Sequence, residues 1–151
     1  MKNRLHSRKG RPSTLIFGLL IAFGSQAMAN GDLPRKASPP ESRTYLISPA
    51  DGANLSSPIT IRFGLQGMGV APAGIDKAGT GHHHLLIDTD LPVLDLPIPS
   101  DAKHRHFGGG QTEAVIELEP GEHSLQLILG DDLHIPHNPP VISEKILIRV
   151  E

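Results

Sequence analysis

The sequence predicts an all-β protein, an antiparallel β-sandwich of about six to seven strands joined by long loops. Three observations lead to this fold class. Short runs of alternating apolar and polar residues recur along the chain, and turns rich in glycine or proline separate them. The 151 residues include 16 glycines and 14 prolines, a content that argues against a helical bundle. No window shows a capped 3.6-residue apolar period of the kind that amphipathic helices have.

The first 29 residues predict a secretory signal peptide. A basic segment without acidic residues precedes the apolar run LIFGLLIAF, which is followed by Ala27, Met28 and Ala29. Basic, apolar and small-residue regions in this order are typical of export signals, and we expect cleavage after Ala29. The apolar run is much shorter than the roughly 20 residues that span a bilayer, so we expect no membrane span after cleavage. The expected location is periplasmic or secreted.

Cleavage would make the protein acidic. It removes five of the 14 basic residues and none of the 16 acidic ones, which leaves a net charge of −7. This charge disfavours nucleic acid as a partner. The chain has no cysteine, which excludes disulfides, iron–sulfur clusters, thiolate zinc sites and cysteine nucleophiles. An exported domain without disulfides must be stabilised by packing or by a metal.

Beyond the signal, residues 30–42 are polar and rich in proline, which predicts a flexible leader. A single β-sandwich domain should then occupy residues 43–151. Its expected strands are Arg43–Ser48, Ile59–Gln66, 82–88, 112–118, 122–129 and 141–150. Apolar residues occupy alternate positions of Ile59–Gln66, which makes it the clearest of these predictions. The glycine and proline content predicts long loops at residues 67–81, 89–104 and 130–140.

Three turn sequences resemble those of bacterial immunoglobulin-like domains. They are SPADG at 48–52, SPITI at 57–61 and the Pro120-Gly121 hairpin. The resemblance implies an immunoglobulin-like arrangement of the sandwich.

The chain contains nine histidines among 151 residues, an unusually high number of side chains that can bind metal ions. Seven of the eight histidines beyond the signal peptide form three clusters: His82, His83 and His84; His104 and His106; and His134 and His137. In a strand, residues i and i+2 point to the same face with their Cα atoms about 6.5–7 Å apart. Two imidazoles at this spacing can therefore bind the same metal ion.

We expect two or three of these clusters to converge at one end of the sandwich and to bind a divalent transition metal. The candidate ligands are His82, His84, His104, His106, His134 and His137, with His83, Asp88 and Asp131 as further candidates. Asp88, Asp131 and Asp132 are also candidates to orient imidazole N–H groups. Imidazole ligation without thiolates suits Cu(II) or Zn(II). No catalytic residue is assigned.

The favoured function is a non-catalytic metal carrier, buffer or sensor in the periplasm. Two alternatives remain open at this point. The histidines could form a structural hydrogen-bond network in a module that binds a protein or envelope partner through its loops. A metal-dependent enzyme would need an open coordination position and a nearby base, neither of which the sequence identifies.

Four strings in a fixed order resemble a family of bacterial exported domains of unknown function. The strings are GMGVAPAG at 67–74, GHHHLLID at 81–88, HFGGGQTE at 106–113, and LGD followed by PPV within 129–141. The resemblance covers nearly the whole chain beyond the signal peptide. It implies a single exported domain and does not imply any particular reaction.

Overall fold

The computed structural model describes residues 34–151, so the predicted signal peptide and the start of the leader lie outside the described residues. Residues 34–151 form nine strands and no helix, which confirms the all-β prediction. The strands are β1 (Arg43–Ser48), β2 (Ala53–Leu55), β3 (Ile59–Gln66), β4 (Gly69–Val70), β5 (Thr80–Ile87), β6 (His104–His106), β7 (Glu113–Ile116), β8 (Gly121–Gly130) and β9 (Ile146–Val150). Within this range, no helix is long and apolar enough to cross a membrane.

The strands form the two sheets of a sandwich. The smaller sheet has the order β1-β3-β7, and the larger sheet has the order β2-β9-β8-β5-β4, with β6 also paired to β5. Neighbouring strands are antiparallel except for the short pairs β2–β9 and β4–β5, which are parallel. The predicted β-sandwich is therefore confirmed.

The main core lies between the two sheets. Ile61 and Phe63 of β3 are buried against Leu85 of β5, Leu127 of β8 and Ile148 of β9. These residues occupy alternate positions of their strands, as expected when one face of each strand points inward. Burial of this apolar surface is the principal stabilising contribution to the sandwich.

The outer face of the larger sheet is covered by loops. Leu86 of β5 and Ile128 of β8 are buried there beneath Ile98, with Leu94 and Ile142 packed beside them. As a result β5 is buried on both faces, from Gly81 to Ile87. The covered outer face places polar residues of β5 in a protected environment.

Most of the predicted strand boundaries agree with the structure. β1 and β3 begin and end at the predicted residues, and β5, β7 and β8 differ by one or two residues at each end. The predicted strand 141–150 begins only at Ile146. Before that point Ser143 is bonded to Leu127 of β8, with its N–H donating to the Leu127 carbonyl at 2.9 Å and its hydroxyl accepting from the Leu127 N–H at 2.8 Å.

Residues 35–38, within the predicted leader, are fixed to the loop that follows β8. The Arg35 guanidinium donates to the carbonyls of Pro136 and His137. The Ser38 N–H donates to the Asn138 carbonyl at 3.1 Å, and the Asn138 N–H donates to the Lys36 carbonyl at 2.8 Å. These bonds replace the flexibility expected of a polar, proline-rich segment with a defined conformation over residues 35–38.

Candidate metal centre

His82 and His84 share the outer face of β5. Their Nε2 atoms are 3.1 Å apart, and both side chains are fully buried. The intervening His83 points to the opposite face, as strand alternation requires. The first predicted pair of metal ligands is therefore adjacent in space.

His106 reaches this pair through the three-residue strand β6. Antiparallel pairing places His106 opposite His84 in the register of β5 and β6. The centroid of the His106 ring lies 5.0 Å from the ring centroids of both His82 and His84. His106 is the part of the group that solvent can reach, whereas the two β5 histidines are enclosed.

His134 adds a fourth ring from the loop after β8. Its ring centroid lies 4.7 Å from that of His106, 5.0 Å from that of His82 and 5.9 Å from that of His84. We call His82, His84, His106 and His134 the four-histidine cluster. Its members come from three separate segments of the chain, so two members of the first predicted cluster and one member of each of the other two converge.

The loop holds His134 in a left-handed backbone conformation with φ of 68°. Asp131 maintains this turn, because its Oδ1 accepts the N–H groups of Leu133 and Ile135, each at 2.9 Å. The His134 N–H in turn donates to the Asp131 carbonyl at 2.9 Å. A non-glycine residue in this region is conformationally unfavourable and persists only where its surroundings enforce it.

The rings of His82, His84 and His106 are kept neutral by their environment. Burial, followed by repulsion from neighbouring imidazoles, lowers the pKa of His82 to about 4 and that of His84 to about 2. Burial, followed by the nearby His134, also lowers the pKa of His106. Neutral imidazole is the form that binds a metal, so these rings present lone pairs at neutral pH.

The spacing of the nitrogens fits a shared cation. His82, His84 and His106 each offer a nitrogen, and these three atoms lie within 4.8 Å of one another. Zinc–nitrogen bonds of about 2.0–2.1 Å in a tetrahedron would separate the ligand atoms by about 3.3–3.4 Å. The nitrogens would have to approach one another by up to about 1.5 Å to reach that distance.

The Nδ1 atoms of His82 and His84 are buried and have no hydrogen-bond partner among residues 34–151. Metal-binding histidines usually donate their second ring N–H to a carboxylate or carbonyl. In the described part of the chain, the hydrogen bond between their Nε2 atoms and packing against neighbouring rings orient these two imidazoles instead.

Two other predicted ligands lie beside the cluster and not within it. His104 is opposite Leu86 in the β5–β6 pairing, and its Nδ1 is 2.9 Å from Asp101 Oδ1. His137 is buried with its Nε2 3.2 Å from the Thr80 carbonyl. His104 and His106 have the same i, i+2 spacing as His82 and His84. Only His106 of this second pair lies close enough to the cluster to bind the same ion.

The remaining candidates have other environments. His83 lies in the inner core with its ring centroid 5.2 Å from that of Phe63. Asp88 Oδ2 is 2.7 Å from His123 Nδ1, an ion pair at the far end of β5 from His82. Asp131 binds its own loop, and Asp132 binds Lys36. We observe no hydrogen bond between these three carboxylates and the four-histidine cluster in the described structure.

Fold and site together define an all-β sandwich that carries four converging imidazoles on the outer face of its larger sheet. The chain belongs to the family described as domain of unknown function DUF4399, whose family model matches residues 61–151. This range contains all four histidines of the cluster. The expected kinship with a family of unknown-function domains is confirmed. No curated protein and no solved structure matches the chain.

Proposed function

We propose that this protein is an exported, non-catalytic protein that binds Cu(II) or Zn(II) through the four-histidine cluster. It would serve as a carrier, buffer or sensor of the metal. The observation that carries the proposal is the convergence of imidazoles from β5, β6 and the loop after β8, with ring centroids 4.7–5.9 Å apart.

The hydrogen bonding of the cluster favours a metal over a structural network. A structural network would satisfy buried ring nitrogens, because an unpaired buried polar atom is destabilising. Within residues 34–151, His82 and His84 leave Nδ1 without a partner, and their Nε2 atoms form a single hydrogen bond with each other at 3.1 Å. A cation bound by both Nε2 atoms would replace this one hydrogen bond with two metal–nitrogen bonds.

The donor set supports the choice of metal. It consists of imidazoles alone, and the chain has no cysteine. Nitrogen ligands suit Cu(II) and Zn(II), whereas Mg²⁺ and Ca²⁺ prefer oxygen ligands.

A non-catalytic role is supported by the acids closest to His134 in the chain. A hydrolytic metal enzyme needs a base beside the metal-bound water. Asp131 Oδ1 accepts two N–H groups of its loop, and Asp132 is paired with Lys36. Neither carboxylate is hydrogen-bonded to the cluster.

Export rests on the sequence of the first 29 residues, and the mass of the purified exported protein would test it. We expect the chain to begin at Asn30, and an uncleaved amino terminus would contradict this part of the proposal. A carrier in an oxidising compartment also gains from the absence of cysteine, because metal binding does not compete with disulfide formation.

Matched substitutions on β5 test metal binding directly. Calorimetry at pH 7.5 with untagged, metal-depleted protein should show uptake of Zn(II) or Cu(II), with one ion per cluster. His84→Leu should lower the affinity at least about 100-fold, because it removes a buried ligand. His83→Leu, on the same strand and equally buried, should bind the metal with nearly unchanged affinity since its ring faces the inner core.

Absence of uptake by the wild-type protein would contradict the proposal. Equal affinities of the wild type and His84→Leu would show that any metal binds elsewhere. A lower melting temperature of His84→Leu without metal uptake by the wild type would favour the alternative, a binding module with structural histidines for a protein or envelope partner.

A further inference from the structure

The ring of His106 occupies the space that a side chain at residue 108 would need. A Cβ atom built on Gly108 would stand closer than 3.0 Å to both Cε1 and Nε2 of His106, a separation that real Cβ atoms essentially never show. It would also approach Ala73 Cβ at 3.3 Å. The imidazole therefore lies directly against the backbone of Gly108.

The next glycine lacks this relationship. The three atoms nearest to a Cβ atom on Gly109 would all belong to the exposed side chain of Gln111, at 3.1–3.2 Å, whose Oε1 accepts the Gly109 N–H at 2.9 Å. Neither glycine has a positive φ, whereas Gly110 has φ of 80°. Alanine is therefore compatible with the backbone at residues 108 and 109, and the two positions differ in what the added methyl group would contact.

We propose that Gly108 is a positioning residue of the metal centre: it gives His106 the space to reach His82 and His84. This inference rests on the proposed metal-binding function. It assigns a role to the first glycine of the HFGGGQTE string, which otherwise has the appearance of a simple turn.

The direction in which a displaced ring would move follows from its neighbours. The ring centroids of His82 and His134 lie 5.0 and 4.7 Å from that of His106, so these two rings block movement of His106 towards the cluster. Solvent lies on the other side, because His106 is on an exposed edge strand. A methyl group at residue 108 should therefore turn the imidazole outward and leave the buried pair with one ligand fewer.

Alanine substitutions at the two glycines test the proposal by calorimetry with Zn(II) at pH 7.5. We expect Gly108→Ala to weaken binding about 10–100-fold, the range typical when the support of a ligand is removed. Gly109→Ala should remain within about twofold of the wild type. In a His106→Ala background, Gly108→Ala should have no further effect, because its influence acts through the ring that is already absent.

The position of the ring provides a second measurement that needs no metal. In the metal-free wild type and in Gly109→Ala, ring protons of His106 and His134 should give a nuclear Overhauser effect, and Gly108→Ala should lose it. Persistence of this effect in Gly108→Ala, or equal Zn(II) affinities of the wild type and Gly108→Ala, would overturn the role of Gly108. Failure of the wild type to bind metal would instead refute the proposed function, while the Overhauser comparison would still decide whether Gly108 positions the ring.

Discussion

The three consecutive histidines of β5 illustrate how one residue type acquires different properties over a few ångströms. His82 and His84 face other imidazoles, whereas His83 contacts the ring of Phe63 in the apolar core. All three are fully buried, and burial is the main cause that lowers the pKa of each. The three rings differ in their surroundings, and only His82 and His84 are placed to bind the same metal ion.

These lowered pKa values predict that the metal-free protein is destabilised by acid. The unfolded chain protonates His82, His83 and His84 near pH 6.5, while the folded chain protonates these three residues at lower pH, near 4 for His82. The unfolded state therefore binds more protons below pH 6.5, and the stability present at pH 7.5 is lost as the pH falls.

Urea unfolding in EDTA at pH 7.5 and 5.0 measures this effect. We expect the free energy of unfolding to fall by about 1–2 kcal/mol for each fully buried histidine. His83→Leu should reduce the difference between the two pH values, because it removes one such group. Equal stability of the wild type at both pH values would contradict the prediction.

At the scale of elements, the position of β6 determines which histidines meet. β3 could be predicted to the residue because its apolar residues alternate, and β1 because a run of β-favouring residues directly precedes a proline- and glycine-containing turn. β6 has three residues between a proline-rich loop and a glycine run, so no periodicity identified it, and the long loop of residues 88–103 separates it from its partner β5. The H-x-H spacings were visible in the sequence, whereas their convergence depends on this non-local pairing.

The same limit applies to the loop after β8. The sequence marked residues 130–140 as a loop with two histidines, but it did not show which one would face β5. The choice depends on the left-handed conformation of His134, which the side chain of Asp131 supports. Such tertiary constraints do not appear as a local pattern of apolar residues.

Substitution of Asp131 should therefore disturb the fold and the cluster together. Asp131→Ala leaves the N–H groups of Leu133 and Ile135 without their acceptor, and we expect a loss of about 1–3 kcal/mol in the free energy of unfolding. Asp131→Asn retains an oxygen acceptor and should recover most of this loss. Urea unfolding measures the stability, and equal stability of Asp131→Ala and the wild type would contradict the assigned role.

At the scale of the whole molecule, the cluster lies where three parts of the sandwich meet. β5 belongs to the interior of the larger sheet, β6 lies at its edge, and the loop with His134 covers its outer face and is tied to residues 35–38. A bound cation would join these parts in a chain that has no disulfide.

Metal binding should consequently stabilise the entire domain. A ligand at 100 times its dissociation constant that binds only the folded state adds about 2.7 kcal/mol to the free energy of unfolding. We expect Zn(II) to raise the melting temperature of the wild type and of His83→Leu. The melting temperature of His84→Leu should not respond, and a similar rise in that variant would indicate a different binding site.

The run of identical residues in β5 has a consequence for how the strand is aligned during folding. A slip of one residue against β8 would still present histidine on both faces, so the triplet itself does not distinguish correct from incorrect pairing. The same slip would move Leu85 and Ile87 from the main core to the outer face of the sheet and bring only Leu86 into the core. The register of β5 is therefore specified by its aliphatic residues, 85–87. Residues 82–84 are not needed to set the register, so the side chains of His82 and His84 can serve metal binding.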